Sequence, residues 1–222
     1  MTDTDHQSIH LVLMGVAGSG KTTILHALAD RLGWSVAEGD AFHPEANVAK
    51  MQAGHPLTDE DRWPWLERIV TWTDVEDAAG RDTLVTCSAL RRVYRDKLRE
   101  APGRTICVHL AGAEKLIAER MAARAGHFMP TSLLPSQIAT LEPLGDDEDG
   151  IVVDVNQTTE EITDEIVSRI VEQHAHIGLV FQPPRDERLR THHAHPQPID
   201  ALVLDTHPLT QLRRPLTLAD LA

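Results

Sequence analysis

The run Gly15-Val16-Ala17-Gly18-Ser19-Gly20-Lys21-Thr22 fits the phosphate-binding pattern G-x-x-x-x-G-K-[ST] at every required position. Its chemistry follows from its composition. The glycines let the backbone curl so that successive N–H groups point inward at phosphate oxygens. Lys21 reaches toward β- and γ-phosphates, and Thr22 sets its hydroxyl on Mg²⁺. Val16, Ala17, Ser19 and Thr23 complete the stretch expected to hold ATP. The pattern requires a strand before it and a helix after it. Residues 9–14 (IHLVLM) form an apolar run of strand length, and residues 23–32 (TILHALADRL) repeat their apolar side chains at helical spacing.

A second group of reactive side chains lies further on. Residues 34–37 read as a strand that delivers Glu38-Gly39-Asp40 at its carboxyl end. A P-loop switch protein would show an apolar strand ending in an acid pair, whereas residues 83–87 (TLVTC) end in Ser88-Ala89. That favours a small-molecule kinase. Asp40 would orient or deprotonate an acceptor hydroxyl, and Glu38 would reach the Mg²⁺ shell through water. The competing reading of Asp40 is a cap for the helix that opens near Pro44.

The elements that must position these residues alternate regularly. After the second strand, Pro44 opens a short helix to Met51, and the turn Gly54-His55-Pro56 breaks it. Thr58 caps a longer helix with Asp59, Glu60 and Asp61 in its first turn. Pro64 falls early enough to be tolerated, and Trp65, Ile69 and Trp72 face the core. Strands follow at 83–87, 105–110 and 151–155, with helices at 91–100, 113–124, 132–141 and 159–174. Short apolar strands alternating with helices predict an α/β domain, a five-stranded parallel sheet with helices on both faces. Ligands bind such sheets at the carboxyl ends of the strands, so Asp40, Ser88 and the loop after Val155 are expected to share one crevice.

The chain has 222 residues, 41% hydrophobic and 25% charged, enough for one well-cored domain and an appendage. A formal net charge of −13 argues against a general affinity for nucleic acid or for an anionic membrane surface. The two cysteines, Cys87 and Cys107, lie in apolar strand-like runs and read as buried thiols in a reducing cytoplasm. The N-terminal residues lack the basic-then-apolar order of a signal peptide, and no run reaches membrane-spanning length. The kinase domain is placed at residues 1–177. Residues 178–222, rich in proline and histidine at their start, read as an extension that is partly linker or disordered chain. Its histidines show no spacing that would fix a coordination geometry.

Five strings in order, GVAGSGKT, EGDAFHPEANVAKMQAGHPLTDEDRWPWL, TCSALRRVYRDKLR, ERMAARAGHFMPTSLLPSQIATLEPL and IVVDVNQTTEEI, resemble the gluconate kinases over about residues 9–174. The resemblance implies a P-loop kinase fold with a small helical lid. It implies a homodimeric cytoplasmic enzyme that phosphorylates D-gluconate at its 6-hydroxyl with ATP and Mg²⁺. By resemblance His43, Arg62, Arg91 and His127 belong with Asp40 to the acceptor pocket, with Lys50 and Arg95 as further candidates. The physical reading agrees, because a polyol carboxylate needs a cation and several hydrogen-bonding groups. Arg120 and Arg124 lie four apart on one helix face, just before Gly126-His127-Phe128-Met129-Pro130, where a lid would begin. Lid arginines would place positive charge on the transferred phosphoryl oxygens, making Arg124 catalytic and Arg120 nucleotide-binding. Asn156-Gln157-Thr158 would sit beside adenine.

The sequence departs from that family at Glu38, where aspartate is frequent, and in the tail beyond residue 178. Two other functions fit the residues. One is a P-loop kinase for another hydroxy acid or sugar acid, separable by comparing turnover of gluconate and shikimate. The other is a nucleotide-binding protein without catalysis, for which Asp40→Ala would change nothing.

Overall fold

In the computed structural model, residues 7–123 and 133–175 are described. The chain runs β1 (Ile9–Met14), α1 (Lys21–Leu32), β2 (Ser35–Glu38), a 3-10 turn (Gly39–Phe42), α2 (Glu45–Gln52), α3 (Asp59–Ala78), β3 (Thr83–Thr86), α4 (Arg92–Leu98), β4 (Arg104–Ala111), α5 (Glu114–Ala123), α6 (Leu134–Thr140), β5 (Gly150–Asp154) and α7 (Thr159–Ala175). The strands form one parallel sheet in the order β2-β3-β1-β4-β5. The central strand β1 therefore carries the phosphate loop at its carboxyl end, flanked by the ends of β3 and β4.

The period-two alternation of β1 sorts its side chains onto two cores. Ile9, Leu11 and Leu13 pack with Ile24, Leu25 and Leu28 of α1 and with Ile162, Ile166 and Ile170 of α7. Val12 and Met14 face the opposite layer, against Trp65, Leu66 and Ile69 of α3 and Tyr94 and Leu98 of α4. Each such buried aliphatic side chain contributes about 1.5–3 kcal/mol relative to exposure. A third, smaller cluster of Val16, Leu90, Ile117 and Leu134 joins the phosphate loop, the loop after β3, α5 and α6. It seats α5 and α6 over the carboxyl end of the sheet.

The expected elements are present, with boundary shifts at their ends. Helix α1 begins at Lys21 rather than at 23, and α4 begins at Arg92, with Arg91 as its N-cap. Thr58 and Asp61 form a reciprocal capping box, and α3 runs through Pro64 without interruption. Trp65 and Ile69 are buried as their spacing predicts, while Trp72 packs at the margin of that core. Cys87 and Cys107 are buried free thiols. No helix among the described residues is long and apolar enough to cross a membrane. Arg124 and His127, where a lid was expected, and the extension from residue 178 lie outside the described residues.

Candidate active site

A cleft of about 590 Å³ opens at the carboxyl ends of β1, β2 and β3. It is lined by Ala17, Gly18, Gly20, Lys21, Thr22 and Thr23 of the phosphate loop and the start of α1, and by His43, Leu57, Asp59, Arg62, Arg91 and Tyr94. Glu38, Asp40 and Ser88 line the same cleft, so the two groups of residues singled out in the sequence meet in one crevice.

The phosphate loop is held from three sides. The Gly15 N–H donates to the Ser88 carbonyl at 3.2 Å, tying the loop to the end of β3. Gly18 has φ +81°, and a Cβ there would lie 2.5 Å from Met121 Cγ of α5, so both backbone conformation and space demand glycine. The Lys21 ammonium donates to the carbonyls of Gly15 and Val16 at 3.0 and 2.9 Å, curled over its own loop. Val16 turns its side chain into the small third cluster, and Ser19 is buried with its hydroxyl unpartnered.

Asp40 sits in the 3-10 turn Gly39–Phe42. Helix α2 has Pro44 as its N-cap, so Asp40 does not occupy the capping position that was the competing reading. The turn is anchored by α3 and β3. Trp65 Nε1 donates to the Gly39 carbonyl at 2.7 Å, and the Gly39 N–H donates to Thr86 Oγ1 at 3.0 Å. A Cβ on Gly39 would fall inside the Thr86 carbonyl oxygen, so this position needs glycine for close approach. Thr86 Oγ1 in turn donates to Glu38 Oε2 at 2.7 Å, leaving Glu38 Oε1 buried and unpartnered.

At the far end, the Asp59 carboxylate accepts from Tyr94 Oη and from Arg91 Nη1, each at 2.6 Å. The Tyr94 hydroxyl, then Arg91, hold Asp59 below the usual carboxylate range. Tyr94 and Asp59 likewise raise the Arg91 guanidinium above its ordinary value. Arg62 lies over the same Tyr94 ring at 5.4 Å and donates to the Leu57 carbonyl at 2.5 Å. His43 stacks on Trp65, and burial, with the Arg62 charge second, lowers its pKa to about 4. The imidazole is therefore neutral at physiological pH, and its buried Nδ1 has no partner.

Two expectations land elsewhere. Arg95 is fully buried, pairing with Glu148 at 2.7 Å and donating to the carbonyls of Ala89, Leu90, Glu142 and Pro143. It ties the loop after β3, where Ala89 adopts φ +42°, to the segment after α6 and does not line the cleft. Lys50 pairs with Asp61 of the α3 capping box. Arg120 donates to the Val155 carbonyl at 2.9 Å, just beyond β5. In the turn after β5, Thr158 and Glu161 form a reciprocal cap for α7.

Sequence reasoning passed over Asp59 and Tyr94 as site residues, and Gln137 of α6, which lines the cleft and accepts from the Ala17 N–H at 2.7 Å. All three stood inside the strings that carry the family resemblance. Their roles depend on partners 32 to 120 residues away, and spacing alone does not reveal such pairs.

Comparisons with known proteins agree with this geometry. A family model described as an AAA domain matches residues 11–144, more than half of the chain. A second, a LysR substrate binding domain, matches residues 155–222; within that span α7 packs into the core shared with β1. A gluconokinase of Gluconobacter oxydans (strain 621H) is 49% identical over 157 residues, 71% of this chain and 88% of that protein. An unliganded sugar kinase from Janibacter sp. HTCC2649 superimposes with a TM-score of 0.71 at 53% identity, covering 73% of this chain and 94% of that one. A gluconokinase from Sinorhizobium meliloti 1021 superimposes with a TM-score of 0.67 at 45% identity, covering 78% and 99%. With the phosphate loop, the acidic turn after β2 and the arginine-lined far end built on one P-loop kinase sheet, this chain belongs to the gluconokinase family.

Proposed function

We propose that the protein transfers the γ-phosphoryl group of ATP to the 6-hydroxyl of D-gluconate, giving 6-phospho-D-gluconate and ADP. The observation that supports this reading is that Asp40 lines one cleft together with the phosphate loop, Arg62 and Arg91. The N–H groups of Gly18, Gly20, Lys21 and Thr22 cradle the phosphates, and Lys21 swings from its loop carbonyls onto the β- and γ-oxygens. Asp40 accepts the proton of the attacking hydroxyl as the oxygen–phosphorus bond forms and the bond to the ADP oxygen breaks. Arg62 and Arg91 supply positive charge for the gluconate carboxylate, and neutral His43 hydrogen-bonds the polyol. Arg124 and His127 join the site on the strength of their sequence string. Arg120 supports the nucleotide side through the Val155 turn.

The donor set also fits Mg²⁺. Thr22 and Glu38 line the cleft, and the unpartnered Glu38 Oε1 is a hard oxygen donor of the kind this ion prefers. Bound there with the phosphates, the ion would neutralise charge developing on the transferred group. Among the described residues no cluster of three metal-ligating side chains occurs, which suits an ion held largely by phosphate and water oxygens. The buried thiols Cys87 and Cys107 fit a reducing cytoplasm. The family resemblance and the exposed side chains of Trp63 and Val93 support a homodimer.

The test is ADP release in a coupled assay with D-gluconate, beside shikimate, for the wild type and Asp40→Ala. Gluconate-dependent turnover is expected to fall about 10²–10⁴-fold in the variant while ATP still binds. Absence of gluconate-dependent ADP release by the folded wild type with Mg²⁺ would sink the proposal.

A further inference from the structure

Helix α6 contributes one polar side chain directly to the phosphate loop. Leu134 and Ile138 of that helix pack with Val16 and Ile117, and Leu141 just beyond it joins them, so the helix is seated over the loop by an apolar stripe at positions i, i+4 and i+7. Gln137 lies beside that stripe, half-buried, and lines the cleft together with Lys21, Asp40 and Ser88. The Ala17 N–H reaches its carboxamide at 2.7 Å. A backbone N–H can only donate, so the contacting atom is the carbonyl oxygen, and the orientation of the amide is determined by chemistry. The NH₂ group, with its two donors, is the other end of the same planar carboxamide.

The location of Ala17 gives that orientation its meaning. It precedes the Gly18–Thr22 turn that cradles the inner phosphates, and it lines the same cleft as Asp40, Arg62 and Arg91. We propose that Gln137 is a further residue of the transfer site, whose amide NH₂ donates to an oxygen of the terminal phosphoryl group of the donor nucleotide. The inference rests on the kinase reading above. In the transfer the acceptor oxygen gains its bond to phosphorus, the bond to the ADP oxygen breaks, and the proton goes to Asp40. Gln137 is unchanged throughout, supplying hydrogen bonds to charge that moves between donor and acceptor.

A purely structural role predicts something different. If Gln137 only braced the loop through the Ala17 N–H, then Gln137→Glu, which keeps an oxygen for that donor, would behave as wild type. Gln137→Leu would then weaken ADP and ATP alike. The proposal predicts discrimination by the terminal phosphate.

The experiment measures binding of ADP and of the non-hydrolysable analogue AMPPNP by calorimetry, with kcat for gluconate, on the full chain as wild type, Gln137→Leu and Gln137→Glu. ADP affinity is expected to stay within about twofold in Gln137→Glu. AMPPNP affinity and kcat are expected to fall about tenfold or more, since the amide donors are lost and a like charge faces the phosphate. Wild-type AMPPNP affinity and kcat in Gln137→Glu, or equal losses of ADP and AMPPNP in both variants, overturn the inference while leaving the kinase reading intact. A folded wild type that binds neither nucleotide overturns both.

Discussion

The His43 imidazole lies flat on the Trp65 indole, with ring centroids 4.2 Å apart and planes inclined by 17°. The same indole donates from Nε1 to the Gly39 carbonyl, so one side chain of α3 fixes both ends of the turn that presents Asp40. Burial in this stack, and then the Arg62 charge, bring the His43 pKa from 6.5 to about 4. Burial also lowers His10 and His109. Between pH 6.5 and about 4 the unfolded chain therefore takes up protons that the folded chain refuses. Stability is complete above pH 6.5 and is lost as pH falls through that window. Urea midpoints across this range should decline toward acid, and His43→Gln should flatten the decline. An unchanged slope in the variant would place His43 in an environment that does not oppose its charge.

Gly39 is required for space, not for an unusual φ. Gly39→Ala drives a methyl into the Thr86 carbonyl, so the end of β2 must separate from β3. The expected loss is about 1–3 kcal/mol of unfolding free energy. The gluconate KM should rise with it, because the displaced turn carries Asp40. Chemical denaturation and steady-state kinetics read both effects.

Arg91 bridges Asp59 of α3 and Glu142 beyond α6, with its guanidinium on the cleft. Arg91→Met should raise the gluconate KM about tenfold or more, the scale of one hydrogen bond to a charged group. The ATP KM should remain near wild type. An equal rise for both substrates would place Arg91 outside the acceptor pocket.

Glu38 has one carboxylate oxygen spent on Thr86 and the other buried without a protein partner. Glu38→Gln should raise the Mg²⁺ concentration for half-maximal activity several-fold with little change in stability. A magnesium titration identical to wild type would remove Glu38 from the metal's surroundings.

Arg95 and Glu148 form an ion pair with side-chain exposures of 0% and 1%. Arg95→Met leaves the buried Glu148 carboxylate with only Arg99 and the Gly145 N–H as partners and should cost about 3–5 kcal/mol. Arg95→Met combined with Glu148→Leu should recover a substantial part of that loss. Thermal melts of the single and double variants test this, and equal destabilisation in both would assign the cost to the lost carbonyl contacts of Arg95 instead.

Much of this protein was determined locally and so was legible in its residues. The phosphate loop is specified by glycines and a lysine at fixed spacing, the strands by short apolar runs, and α3 by its capping box. Each is an interaction within a few residues, which the order of side chains expresses directly. The acceptor side was legible as a set of charged residues, but not in its assignments. Arg62, Arg91 and Arg95 look equivalent as sequence, yet two line the cleft and the third is buried against Glu148. Only packing separates Arg91 from Arg95: Arg91, the extended N-cap of α4, reaches Asp59 on the cleft, whereas Arg95 inside the helix is buried against Glu148. The Gln137 contact with Ala17 spans 120 residues and exists only because the third apolar cluster lays α6 across the phosphate loop. Tertiary structure decided which polar groups line the cleft and which are spent holding the loops in place.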